Sequence, residues 1–113
     1  MVSTWTFLSN HAHVLLCIAI EPEVRLRDVA ERVGITERAV QKIVGELEAA
    51  GALTRLRDGR RNRYVVHLEC PLRHPIEAHQ SVGKLLGLLM TPAQLRALAR
   101  RRRELEATDA QGA

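Results

Sequence analysis

The chain has 113 residues, 46% of them apolar. That suffices for one small globular domain and argues against a disordered chain. Three aromatic residues in all give poor provision for stacking single-stranded bases. A net charge of +4 and a pI near 9.8 favour a polyanionic partner, although a basic protein without one has the same balance.

Taken in chain order, Trp5, Phe7 and Leu8 form an apolar arm within residues 1–8. A first helix starts after Ser9 or Asn10, either of which can cap it, and runs to about Ile20. Its core face is Val14, Leu15, Ile18 and Ala19. Glu21-Pro22-Glu23 ends it, because a residue before proline avoids helical geometry. Residues 24–26 are a candidate short strand that would join a later hairpin in a three-stranded sheet. The next segment is apolar at Leu26, Val29, Ala30 and Val33, a helical period. Gly34 closes it with a residue that tolerates positive φ.

Thr36 offers a hydroxyl N-cap to a further helix spanning about 37–50. Val40, Ile43, Val44 and Leu47 form its apolar stripe, so Arg38, Gln41, Lys42 and Gly45 face outward. After Gly51 the pattern predicts strands at 52–57 and 62–68 around an Asp58-Gly59 turn. Tyr64 and Val66 share the inward strand face. Leu53 and Leu56 have opposite parity, which leaves open whether Arg55 or Arg57 points outward. Residues 68–74 connect to a fourth helix at about 76–89, apolar at Ala78, Val82, Leu85, Leu86 and Leu89. Thr91-Pro92-Ala93-Gln94 spells a capping box for a last helix reaching roughly Leu105. The expected fold class is mainly α with a small β-hairpin: a winged helix-turn-helix with extra C-terminal helices. The expected division is an arm at 1–8, the winged domain at 9–70, C-terminal dimerisation helices at 71–107 and a disordered tail at 108–113.

The outward face of the 37–50 helix carries the chemistry. Arg38 lies in the first turn, where the helix dipole disfavours a cation by roughly 0.3–1 kcal/mol. Lys42 follows at i+4, a like-charge neighbour. Glu37 offsets part of the cost, and Glu46 could pair with Lys42. Phosphates or a guanine edge would accept both cations, and Gln41 between them can offer a bidentate amide to adenine. Gly45 keeps the face low. A plain solvated helix face is the competing reading. The hairpin weighs against it: five arginines lie between Arg55 and Arg63, with Asp58 the one acid. Arg60, Arg61 and Arg63 cluster near its tip, where they can follow the backbone or enter a minor groove.

The stretch 25–55, RLRDVAERVGITERAVQKIVGELEAAGALTR, with Gly59-Arg-Arg-Asn-Arg-Tyr64, resembles the winged helix-turn-helix of prokaryotic MarR-like and ArsR-like transcriptional regulators. The likeness covers roughly residues 10–68 and is strongest in the Val-Gly-Ile-Thr turn and the Leu-Glu-Ala-Ala-Gly helix exit. It implies a homodimeric repressor or activator that binds double-stranded DNA. Thr36, Arg38, Gln41 and Lys42 then occupy the positions presented to the major groove, and Arg60, Arg61 and Arg63 those of the wing. The chain is shorter than full-length MarR proteins, so their ligand pocket is not carried over and any small-molecule effector is unknown.

A two-fold dimer on a palindrome is the economical way to read a long site. Leu85, Leu86 and Leu89, with Trp5 of the arm, are the expected subunit interface. Packing on the first helix of the same chain is the alternative. The histidines and cysteines include Cys70-x3-His74-x4-His79, but the spacing fits no defensible zinc site, so no metal or other cofactor is expected. Arg100 to Arg103 form a second cationic cluster, either a solvated helix end or a contact to flanking phosphate. Without a disulfide framework, a signal peptide or a membrane-length apolar run, a cytoplasmic location and no membrane partner are expected. No catalytic motif appears, so an enzyme is not expected. The competing function is a winged-helix RNA-binding or protein-interaction module without specific DNA recognition.

Overall fold

The computed structural model describes residues 4–112; the first three residues of the expected arm and the last of the expected tail, Ala113, lie outside them. Five helices and one antiparallel hairpin follow in the order α1 Asn10–Ile20, α2 Leu26–Val33, α3 Glu37–Ala49, β1 Leu53–Asp58, β2 Arg61–Val66, α4 Val82–Leu89 and α5 Pro92–Gly112. The chain divides into two compact units after His67.

In the first unit several helix boundaries have a local cause. Ser9 caps α1, its hydroxyl accepting from the Ala12 N–H at 3.4 Å, and Pro22 follows its last turn. Gly34 ends α2 at φ +85°, a left-handed conformation that side chains avoid. Its N–H and that of Ile35 both donate to the Ala30 carbonyl, at 2.8 and 3.1 Å. The chain therefore reverses within three residues and re-enters a helix at Glu37. The core is wholly apolar apart from the Tyr64 hydroxyl. Val14, Ile18 and Ala19 of α1, Val29 of α2 and Val40 and Val44 of α3 are buried, with Leu53 and Val66 from the hairpin. Each buried valine, leucine or isoleucine contributes about 1.5–3 kcal/mol relative to exposure, and Ala19 less.

The hairpin pairs Leu53 with Val66, Arg55 with Tyr64, Leu56 with Arg63 and Asp58 with Arg61. Its two-residue loop is Gly59-Arg60 and not Asp58-Gly59, since Asp58 is the last paired residue of β1. Gly59 takes φ +65° there, the conformation a tight right-twisted hairpin requires. The sheet has two strands, not three. The expected third strand at 24–26 fails for a local reason: Val24 N–H turns back to the Glu21 carbonyl at 3.0 Å, and Leu26 already belongs to α2. One contact occupies that edge, from the Tyr64 N–H to the Pro22 carbonyl at 3.1 Å.

The second unit opens with a closed loop. Pro71 and Ser81 form an isolated bridge, reinforced by hydrogen bonds from Leu72 to Gln80 at 2.9 Å and from Val82 to Cys70 at 2.8 Å. Residues 76–81, expected to start the fourth helix, make turns instead. Ser81 is extended and caps α4, its hydroxyl accepting from Lys84 N–H at 3.2 Å. The only residue of the expected apolar stripe before Ser81 is Ala78, which is exposed, as is Ile76 at the expected start. Before α5, Thr91 and Gln94 form the expected reciprocal box, at 2.9 and 3.2 Å. That helix continues to Gly112, well past Leu105 and through most of the segment expected to fray. No proline and no glycine before Gly112 interrupts it, and alanine, leucine and glutamate favour the helix.

Candidate nucleic-acid interface

Helix α3 is held at both ends by its own sequence. Thr36 Oγ1 accepts from the Ala39 N–H at 3.0 Å, which satisfies one orphan donor of the first turn. At the exit Ala52 N–H returns to the Leu47 carbonyl at 2.9 Å. With Val40, Ile43, Val44 and Leu47 buried, the face bearing Arg38, Gln41, Lys42 and Gly45 is exposed. Among the described residues neither Arg38 nor Lys42 joins an ion pair. Glu46 does not serve Lys42: its carboxylate lies 3.4 Å from His11 Nε2, because α1 packs beside α3. The Thr36 hydroxyl keeps its own proton free to donate. Replacing Thr36 with alanine should cost about 1 kcal/mol of stability, read as a lower midpoint in urea; an unchanged midpoint would show that the cap is dispensable.

The hairpin sorts its arginines by their partners. Arg55 is turned onto the body of the unit, 3.3 Å from Glu48 and 5.8 Å above the Tyr64 ring. The inward strand face is therefore that of Leu53, 2% exposed against 38% for Leu56. Arg57 shares that face with Arg55 but lies nearer the hairpin tip and is exposed. Arg63, expected in the wing, is also engaged, 3.7 Å from Glu23. Arg57, Arg60 and Arg61 are exposed and join no ion pair among the described residues. Sequence reasoning left Arg57 out of the candidate set; its place near the hairpin tip, opposite Asn62, was the available signal.

Between the start of α3 and the wing lies a cleft of about 580 Å³, whose lining includes Gln41, Arg60, Arg61, Asn62 and Tyr64. The structure thus brings Gln41 together with two of the three expected wing arginines. Acidic groups also line it, but Asp28 pairs with Arg25 at 3.1 Å, Glu21 with Arg32 at 3.1 Å and Glu23 with Arg63. Glu37 sits in the first turn of α3, where the helix dipole favours it. Tyr64 is 3% exposed. Burial pushes its phenol above the ordinary value, and the Arg55 guanidinium opposes that rise.

The expected interface residues are scattered in exposure. Trp5 stands edge-on to Phe7 at 5.0 Å, and both are exposed. Leu85 is half-buried and Leu89 exposed, but Leu86 is 1% exposed and has no surface left to offer a partner. Leu88, next to it, is 84% exposed. Cys17 is half-buried in α1; burial raises its thiol above the ordinary value, with Arg32 opposing. Such a group stays protonated near neutrality. Among the described residues no three His, Cys, Asp or Glu side chains converge, and no helix is long and apolar enough to cross a membrane.

Two helices joined across a left-handed glycine, followed by a basic hairpin, define a winged helix-turn-helix. The chain belongs to the MarR family, whose model matches residues 6–63, and is a winged-helix transcriptional regulator of that family. Of the two classes resembled in sequence, MarR is the one matched. The chain is also similar, at low identity, to solved structures of transcriptional regulators. PcaV, a transcriptional regulator from Streptomyces coelicolor, in complex with its natural ligand, is 23% identical with a TM-score of 0.47, covering 95% of this chain and 79% of its own. ZitR of Lactococcus lactis in complex with DNA is 17% identical with a TM-score of 0.48, covering 94% and 77%. A comparison with curated proteins gives no match.

Proposed function

We propose that this protein is a homodimeric, sequence-specific double-stranded DNA-binding regulator. Its helix α3 enters the major groove while the wing at 58–63 lies on the backbone or in a minor groove. The observation that carries this reading is the set of exposed cations that join no ion pair among the described residues: Arg38 and Lys42 on α3, and Arg57, Arg60 and Arg61 on the wing, where Arg60 and Arg61 line one cleft with Gln41. Nothing in the fold needs them there, since like charges at i,i+4 weaken a helix. A polyanion accepts all of them. Gln41 and Arg38 are the base readers in this scheme. Thr36, Lys42 and the wing arginines position the duplex, and Arg63 joins them by exchanging Glu23 for a phosphate. The exposed apolar side chains of Trp5 and Leu89, with the half-buried Leu85 of α4, support subunit pairing. Acting on duplex DNA, the protein works in the cytoplasm and needs no cofactor.

Selection of bound fragments from random duplexes tests the reading. A palindrome is expected, with half-sites about 10 base pairs apart centre to centre. Recovery of no enriched sequence, or equal affinity for unrelated RNA, would assign the fold to RNA or protein contacts instead.

A further inference from the structure

The cationic run in α5 has no part in the proposed recognition. Arg96, Arg100 and Arg103 follow the i, i+4, i+7 spacing and so share one stripe of the helix, about 10 Å long at 1.5 Å per residue. All three are exposed, and among the described residues none joins an ion pair or a side-chain hydrogen bond. The intervening arginines differ. Arg101 and Arg102 are half-buried, and Arg102 lies 3.6 Å from Glu69. Leu98, on the opposite side of the helix, is buried. Leu95 and Leu105, the other large apolar side chains of α5 among the described residues, are half-buried, so the helix offers no exposed apolar face of the kind an anionic membrane surface would require. Each of the three guanidiniums can neutralise one phosphate, so the stripe accounts for at most three backbone contacts.

We propose that Arg96, Arg100 and Arg103 form a second DNA-backbone surface, which holds phosphates outside the base pairs read by α3. This rests on the DNA-binding reading above. The test uses the full chain and an R96Q/R100Q/R103Q variant, glutamine being nearly as good a helix former as arginine. Affinity is measured by fluorescence anisotropy between 50 and 200 mM salt, on the selected operator alone and on the same operator with random flanks. For the wild type, log affinity should fall with log salt more steeply on the flanked duplex, by up to about 2.7 (0.9 per phosphate). That slope corresponds to up to about 40-fold over the fourfold salt range. The variant should lose the added slope on the flanked duplex and bind the short operator as the wild type does. Equal wild-type slopes on the two duplexes, or a variant that keeps the steeper one, overturn the stripe alone. Wild type that binds neither duplex at 50 mM salt overturns the DNA-binding reading along with it.

Discussion

Replacing Arg38 with alanine should weaken binding to the selected operator by about 1–3 kcal/mol and leave the affinity for random duplex far less changed. The side chain projects from the first turn of α3, exposed and without a carboxylate partner among the described residues. The α3 dipole opposes its charge, so the free protein gains nothing from it. A guanine edge offers two acceptors that match the guanidinium fork, and losing a bidentate pair removes discrimination at that base. Titrating the variant against both duplexes at one salt concentration is the check. Equal losses on operator and random DNA would reduce Arg38 to a phosphate clamp, with Gln41 the remaining candidate for base readout. Because Arg38 joins no ion pair among the described residues and its charge opposes the helix dipole, its loss should leave the unfolding midpoint unchanged or slightly raised, which separates recognition from stability.

The largest effect on stability should come from Leu53→Ala, with a loss of about 2–5 kcal/mol. Leu53 opens β1, is 2% exposed and pairs across the ladder with the equally enclosed Val66. Removing its side chain leaves a void at the root of the wing, where α3 and β1 meet. Leu56→Ala, on the other strand face and 38% exposed, should cost well under half as much. Urea unfolding of the two variants side by side checks the register. Similar losses would mean that both leucines are enclosed in solution and that the parity seen here is wrong. A wing loosened at Leu53 also loses its hold on Arg60 and Arg61, so its affinity for DNA should fall even where the domain remains folded.

The two effects share one structural cause. The wing is not a free ribbon: Tyr64 N–H donates to the Pro22 carbonyl, Arg55 lies over the Tyr64 ring and reaches Glu48, and Arg63 faces Glu23. Exposed ion pairs of this kind contribute little to stability, so they serve mainly to set direction. They hold the base of the hairpin against α3 and the α1–α2 connection, leaving Arg57, Arg60 and Arg61 as its outward cations.

Elements whose causes are short in range were legible in the residues themselves. Ser9, Gly34, Thr36 and the Thr91–Gln94 pair mark their helix ends because a cap satisfies backbone groups no more than four positions away. The α3 stripe was equally plain, since apolar residues at helical spacing must face a core. These features sufficed for the winged helix-turn-helix and for the outward set Arg38, Gln41 and Lys42. The assignment of charges among partners was not legible, and neither was the fate of the borderline segments. Glu46 turns to His11, 35 positions away, instead of to Lys42 four positions earlier. Residues 24–26 yield strand geometry to a turn at Glu21, and 76–81 yield a helical pattern to a bridge between Pro71 and Ser81. Local chemistry fixes where the backbone starts and stops each turn. Only the packed chain decides which carboxylate a long, flexible cation can reach, and so which arginines remain for DNA.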